Sequence, residues 1–492
     1  MISLKRLRYF VRPIQIFGLI LVFYTSSLAT QQVAPYQVPL TLSPQAQPKK
    51  VGIIGAGAGG TSAAYYLAKS YANISKPIDI TIYEKEPQVG GRTCIVYFER
   101  NNTRIPFELG ASIFIDRNYH MFNAAKRFGL ELVKYGEEYP GSRSAIWDGE
   151  GFVFEQSSSS YWDRAKIIWK YGWAPVKVQR MVNSIIEKYL KGYEFSEPFH
   201  SIDSEINRLH LDVEMQYNAQ YYFSELKNIN PLYLQNFVEP MTRVNYGQNL
   251  GEIHTMGAFI SLAPQGAKGV LGGNHQIFEN FAKHSEADVK LNTEVVKISK
   301  VVSTEYDEEV MKYEVTTKNG KVDTFDAIVL AAPIQFSQIQ FENIDVEMKE
   351  IPYVTLYVTL LAGRVNPAYF GYEKVEEVPQ NIVTTNSGKT EFLSLGTKLI
   401  LENGETLHKI FSHQEMSDEV LDKMFTERSW IFRKVWKAYP RLIPNQSFPK
   451  VELDKNFFYV NSYEPLISCM ETECVSGNNV AKLLVQRWAN DP

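Results

Sequence analysis

Ten residues, Val51-Gly52-Ile53-Ile54-Gly55-Ala56-Gly57-Ala58-Gly59-Gly60, limit what this chain can become more than any other stretch. The apolar run Val51 to Ile54 reads as a buried parallel strand. It breaks into Gly-x-Gly-x-x-Gly and then into Thr61 to Ala68, a small-residue helix. Gly55 permits the sharp turn out of the strand, Gly57 leaves room for a pyrophosphate against the backbone, and Gly60 lets helix and strand pack closely. The helix start then offers unpaired N–H groups and the positive end of a dipole to phosphate.

Glycine-rich turns are common, so the motif gains weight only from its downstream neighbours. A second strand, Ile78 to Tyr83, ends at Glu84, where a carboxylate can accept from both ribose hydroxyls of an adenosine. Val89-Gly90-Gly91-Arg92-Thr93 comes directly behind and suits a second pyrophosphate contact. A plain structural turn would have to occur three times in this order to mimic the pattern. The reading is an α/β chain with a Rossmann-like, two-dinucleotide-fold domain that binds FAD in preference to NAD.

A chain of 492 residues has room for two or three domains. Its 51 basic and 55 acidic residues give a net charge of −4, with no basic field for nucleic acid. Lys5, Arg6, Arg8 and Arg12, the apolar run Ile14 to Phe23, and Ser27-Leu28-Ala29 read as a cleaved signal peptide over 1–29. The apolar run is about half a membrane span, which argues against a permanent anchor. Residues 30–48, with Pro35, Pro39, Pro44 and Pro48 among glutamines, read as a disordered lead-in. Entry into the secretory route agrees with sequons at Asn73, Asn101 and Asn445. Cys94, Cys469 and Cys474 do not make a disulfide framework, and buried or free thiols are expected.

Further along, Cys94 to Arg100 reads as a strand. Phe107 to Ser112 is a small-residue turn, and Tyr119 to Leu130 an amphipathic helix closed by Gly129. Backbone at Gly110-Ala111 can approach a flat ring; a helix-entry turn explains the same residues. From about Tyr135 to Ala263 strand–turn–helix alternation disappears. Aromatic-rich helical stretches, Tyr161 to Tyr171 and Val176 to Tyr193, suggest an inserted substrate domain. The polar run Arg243-Val244-Asn245-Tyr246-Gly247-Gln248 stands out there. Phe325 to Pro333 returns to the nucleotide domain, and alternating stretches such as Tyr353 to Leu361 suggest a second sheet. The resulting division assigns 49–134, 264–335 and 450–492 to the FAD domain, and 135–263 and 336–449 to the substrate domain. No histidine pair is spaced for zinc, and His408 and His413 read as solvent-facing. No Gly-x-Ser-x-Gly supports a hydrolase either.

These pieces in this order resemble the FAD-dependent amine oxidase superfamily, and within it the prenylcysteine oxidase, or prenylcysteine lyase, family. Ile53 to Leu67, Arg243 to Gln248 and Trp169-Lys170-Tyr171-Gly172-Trp173 carry the likeness, which runs from about Lys50 to Trp488. The resemblance implies non-covalent FAD and a lysosome-like or vacuolar compartment, with secretion as the alternative. It also implies oxidation of S-prenyl-L-cysteine by O2 and water to cysteine, a prenyl aldehyde and hydrogen peroxide. Carried over by position, Gly55, Gly57 and Gly60 hold the pyrophosphate, Glu84 the ribose, and Gly91 and Arg92 a phosphate. Val295 meets the adenine, Gly110 and Ala111 the isoalloxazine, and Glu471 and Thr472 the pyrimidine edge. At Thr472-Glu473 the chain carries larger side chains than the superfamily's usual Gly-Ala.

The resemblance supplies no acid–base residue. The thioether's own lone pair can drive the oxidation, so the protein chiefly orients the reacting carbon and keeps the pocket dry. Arg243, Asn245, Tyr246 and Gln248 are expected to face the cysteine head group or the flavin; the alternative is a structural loop joining two domains. Besides the small-molecule substrate and O2, a peripheral lipid or membrane association is open and no protein partner is required. Two other functions stay open: a flavin amine or polyamine oxidase, and a non-catalytic prenyl-binding flavoprotein.

Overall fold

The computed structural model describes residues 48–489 apart from 74–76, 101–102, 135–141, 158, 265, 306–307 and 348–349. The signal peptide, the rest of the lead-in and the sequon at Asn101 lie outside them, as does most of the sequon at Asn73.

Val51–Ile54 does form a central strand, within Lys49–Ile54. Ala327–Leu330 lies parallel on one side, with Val51 opposite Ala327, and Ile78–Tyr83 lies parallel on the other. Asp288–Lys290 extends the sheet at one edge, and Phe457–Tyr459 followed by Glu452–Asp454 at the other. Val51, Ile53, Ile82 and Val329 are fully buried, as expected for parallel strands covered on both faces. The helix Ala58–Asn73 lies against the C-terminal helix Met470–Ala489. Their approach is close because both carry glycine at the crossing: a Cβ on Gly477 would fall 2.6 Å from the Gly59 carbonyl oxygen. A four-stranded sheet built around the hairpin Val295–Glu305 and Glu308–Thr317 completes this half.

The other half is a seven-stranded sheet with a layer of helices. Its order is Phe425–Pro440, Tyr353–Val365, Thr406–Ser412, Ser394–Ile400, Asn381–Thr384, Ser144–Trp147 and Phe152–Glu155. Helices Ser160–Tyr171, Ala174–Leu190, Glu239–Tyr246 and Thr255–Leu262 supply the apolar bulk. The region before Ala263 is mostly helical, as the sequence suggests, and within it Ser144–Trp147 and Phe152–Glu155 join the sheet, giving an α+β substrate domain. Each is four residues long, and the partner that fixes the first, Asn381–Thr384, lies more than two hundred residues downstream. His408 does not face solvent but is buried on a central strand, its ring nitrogens meeting the hydroxyls of Thr397 and Thr406. Burial pushes its pKa down to about 3, so it is neutral. His413 is exposed.

Candidate active site

A cavity of about 1010 Å³ lies where the two sheets' domains meet, and it opens on the glycine loop. Gly55 has φ +107°, and a Cβ there would come within 2.6 Å of the Ala331 carbonyl oxygen. A Cβ on Gly60 would collide with the Gly55 carbonyl, so this glycine serves helix–strand packing and does not touch the cavity. Gly57 differs from both. Among the described residues nothing lies nearer to where its Cβ would stand than Gly91 Cα at 3.9 Å, and the space in front of it is the cavity. Packing does not require glycine at 57; a ligand pressed against the backbone does.

Glu84 closes the strand Ile78–Tyr83 as a buried carboxylate on the cavity wall. One oxygen accepts the Ala56 N–H at 2.8 Å and the other the Glu86 N–H at 2.9 Å. The acid thereby ties the glycine loop to the ribose end of the site. Gly90 and Gly91 both have positive φ and bring Arg92 to the wall. Arg92 donates to the Ala438 carbonyl at 2.8 Å and pairs with Glu464, itself fully buried and hydrogen-bonded to the Tyr353 hydroxyl. It therefore clamps the nucleotide domain to the sheet of the other half while lining the cavity. Val295 lines the same space, as do Gly110, Ala111, Glu471 and Thr472.

The carboxylate of Glu471 is committed elsewhere. It accepts the N–H groups of His120 and Met121 at 2.8 and 2.9 Å and the Tyr193 hydroxyl at 2.7 Å, capping the helix Tyr119–Arg127. Thr472 turns its hydroxyl to the Ile467 carbonyl at 2.7 Å. What Glu471 and Thr472 present to the cavity is the first turn of a helix, the positive end of its dipole. Glu473, one residue on, is buried on the wall. One oxygen accepts from Asn461 Nδ2 at 3.2 Å, while Glu473 Oε1 and Asn461 Oδ1 find no partner among the described residues. Burial raises its pKa to about 7, with Arg92 pulling the other way. A cradle that a side chain at 57 would fill, with the Arg92 guanidinium on the same wall, fits a diphosphate-bearing dinucleotide.

Sequence reasoning missed Lys409. This buried lysine donates to the carbonyls of Glu108 and Gly110 at 2.9 and 3.2 Å and to Ser112 Oγ at 3.0 Å, fixing the turn whose backbone faces the cavity. Burial pushes its pKa down to about 8. The signal was present: a charged residue at an inward position of the strand Thr406–Ser412.

The polar run on Glu239–Tyr246 divides. Asn245 and Tyr246 line the cavity; Asn245 is held by the Met241 and Ser261 carbonyls. Arg243 and Gln248 do not, which corrects the expectation that they face head group or flavin. Arg243 turns to the strand Asn381–Thr384 and its loop, donating to Thr384 O at 3.1 Å, Asn249 Oδ1 at 2.9 Å and Thr390 Oγ1 at 3.3 Å. Gln248 accepts the Leu442 N–H at 2.8 Å and is fully buried. Both bind the helical layer to the sheet. The six-residue run reads as one patch in sequence, but the helix sends Arg243 away from Asn245 and Tyr246, and the left-handed turn at Gly247 carries Gln248 off the helix.

The nucleotide cradle and the cavity that continues from it between the two halves define a dinucleotide-dependent oxidoreductase of the two-domain flavoenzyme architecture. Solved structures share it at 12–16% identity, which speaks for the fold alone. Cyclohexylamine oxidase from Brevibacterium oxydans superimposes with a TM-score of 0.59, covering 90% of this chain and all of the other. A putrescine oxidase variant gives 0.57 over 89% and 99%, and a fatty acid isomerase from P. acnes 0.59 over 89% and 98%.

The family model described as prenylcysteine lyase matches residues 154–492, and one for an NAD(P)-binding Rossmann-like domain matches 53–128. The chain belongs to the prenylcysteine lyase family. Human prenylcysteine oxidase 1 is 28% identical over 468 residues, 90% of each chain. Farnesylcysteine lyase of Arabidopsis thaliana is 28% identical over 460 residues, 90% of this chain and 89% of the relative. Bovine prenylcysteine oxidase 1 is 29% identical over 475, or 92% and 91%. The chain is a flavin-dependent oxidoreductase of this family.

Proposed function

We propose that this chain oxidises the thioether of S-prenyl-L-cysteine, with FAD as its bound redox group. One O2 and one water convert the thioether to cysteine, a prenyl aldehyde and hydrogen peroxide. FAD would be held by Gly55, Gly57 and Gly59 of the glycine loop, Glu84, Gly91, Arg92 and the start of Met470–Ala489, and would supply the hydride acceptor.

The observation that carries this reading is the continuity of the cavity. From the glycine loop it runs on to a wall made by Ile186, Leu190, Met241, Val244 and Ile260. An isoprenoid tail finds there the surface it needs, each buried methylene contributing about 0.8 kcal/mol. Among the described residues that helical wall carries no acidic side chain, so a polyamine's second cation finds no partner on it. Together with family membership, this disfavours the amine oxidase alternative. Asn245 and Tyr246 are the polar groups of the helix Glu239–Tyr246 left to meet a head group, and Tyr246 is stacked edge-on against Tyr439. The chain's residues bind, orient and keep water away; the sulfur supplies the electronic push.

Anaerobic farnesylcysteine should bleach the flavin's visible absorption, and admitting oxygen should restore it with release of peroxide; putrescine should do neither. Bleaching by putrescine alone would install an amine oxidase, and a yellow protein that neither bleaches would be a binding flavoprotein.

We also assign the protein to the secretory route, with a lysosome or vacuole as the end point. The support is the basic and apolar start of the sequence and the sequons. Asn445 is exposed, although its amide donates to the Gln216 carbonyl at 3.0 Å. Endoglycosidase treatment of protein from the native host should raise its mobility on a gel.

A further inference from the structure

The segment Trp169 to Trp173, singled out in the sequence, takes no part in the cavity. It lies on the helix Ser160–Tyr171 and at the start of Ala174–Leu190, and its tryptophans point outward. Trp169 is 90% exposed, Tyr161 78%, Trp173 68%, Trp162 65% and Ile168 40%. Three of the chain's seven tryptophans are thus spent on one solvent-facing stripe. Helical spacing sets part of the stripe: Trp162 and Trp169 share one row of Ser160–Tyr171, and Tyr161 and Ile168 the adjacent one. Trp173 follows the turn at Gly172 (φ +61°) and immediately precedes Ala174–Leu190. The opposite face, with Ile167 and Tyr171, packs into the core.

The exposed charge along residues 160–186 has one sign. Lys166, Lys170 and Lys177 are exposed, and Arg164 is half-buried. Between Ser160 and Ile186 the only acid is Asp163, which is fully buried and accepts the Ser157 N–H at 2.8 Å. This basic, aromatic surface belongs to a chain whose net charge is −4. Tryptophan and tyrosine flanked by lysine match the boundary between lipid headgroups and acyl chains, and basic residues there respond to anionic lipid.

We infer that this stripe is a peripheral docking surface for an anionic phospholipid membrane. The inference rests on the proposed function, because a prenylated amino acid partitions into lipid. The helix Ala174–Leu190 has Trp173 at its start and contributes Ile186, Tyr189 and Leu190 to the cavity wall about 18 Å along its axis, at 1.5 Å per residue. One rigid element therefore joins the docking stripe to the cavity. Other occupants match the charge less well. Residues 1–47 contain no aspartate or glutamate to pair with the lysines, and a second copy related by a twofold axis would set lysines against lysines. Among the described residues no helix is long and apolar enough to cross a membrane, so attachment would be at the surface.

Co-sedimentation with vesicles tests this, using the full mature chain and either phosphatidylcholine alone or a mixture with about a third phosphatidylserine. The wild type should bind the anionic vesicles at least about tenfold more tightly, and salt should weaken that binding. The triple variant W162S/W169S/W173S should lose it, and K166E/K170E should lose the preference for phosphatidylserine. Turnover of soluble farnesylcysteine without vesicles should be unchanged in both, since none of these residues lines the cavity. Vesicle binding is read without catalysis, so failure of the proposed reaction and failure of docking are separate results. Wild-type protein that ignores anionic vesicles, or a triple variant that binds as well as wild type, overturns the inference. So does a wild-type dimer that the triple variant dissolves while vesicle binding stays absent.

Discussion

The glycines of the loop look equivalent in sequence, and the structure separates them. Gly60→Ala drives a methyl into the Gly55 carbonyl. It should therefore lower the melting temperature of the flavin-free protein markedly. Gly57→Ala meets nothing nearer than 3.9 Å among the described residues. It should leave flavin-free stability within about 0.5 kcal/mol while weakening flavin binding at least about tenfold (~1.4 kcal/mol). Equilibrium unfolding of the apoprotein and flavin titration distinguish the two.

Glu473 yields a pH prediction at the same scale. A Cβ on Gly59 would stand 2.8 Å from its Oε2, so the acid lies against the loop that receives the diphosphate. Arg92, Tyr353, Tyr459 and Cys474 are the titratable or charged groups coupled to it, and Glu471 is two residues away on the same helix. Its folded pKa is raised to about 7, and an adjacent phosphate charge raises it further. Flavin binding then takes up a proton. Affinity should be full below about pH 7 and fall as pH rises above it. Glu473→Gln, which stays neutral, should abolish that fall; equal slopes in wild type and variant would refute the coupling.

Among the elements, the helix Glu239–Tyr246 shows how one segment serves two purposes. A wide π-helical turn at Leu234–Val238 precedes it. Pro240 comes at once after that turn, and a proline ring would clash with the carbonyl four residues earlier in a regular helix. The helix then sends Asn245 and Tyr246 to the cavity and Arg243 to the sheet. Arg243→Ala would leave the Thr384 carbonyl and its neighbours without a charged donor in a buried setting. The expected cost is about 3 kcal/mol of stability, visible in the denaturant midpoint, with KM for farnesylcysteine nearly unchanged in the folded fraction. A large rise in KM with unaltered stability would return Arg243 to the substrate.

Over the whole molecule, the cavity wall draws on both halves, and the Arg92–Glu464–Tyr353 cluster ties them together beside it. Flavin therefore acts as a cross-domain ligand. At a hundredfold excess over its dissociation constant it should add about 3 kcal/mol to stability. Flavin removal should lower the melting temperature accordingly, and an apoprotein that melts with the holoprotein would contradict this.

The strand–glycine–helix unit, Glu84 and the Gly90-Gly91-Arg92 turn were legible in sequence because each is local. The chemistry depends on residues within a few positions of one another, and backbone geometry comes directly from glycine spacing. Family likeness was legible for the same reason. What sequence alone left undecided was set by contacts between distant segments. The pairing of Ser144–Trp147 with Asn381–Thr384, the burial of His408, the lysine that fixes the 108–112 turn, and the side chosen by Arg243 all depend on segments brought together from far apart in the chain. Only the folded chain brings those partners within hydrogen-bond range, and a buried polar group must take whatever partner the packing provides.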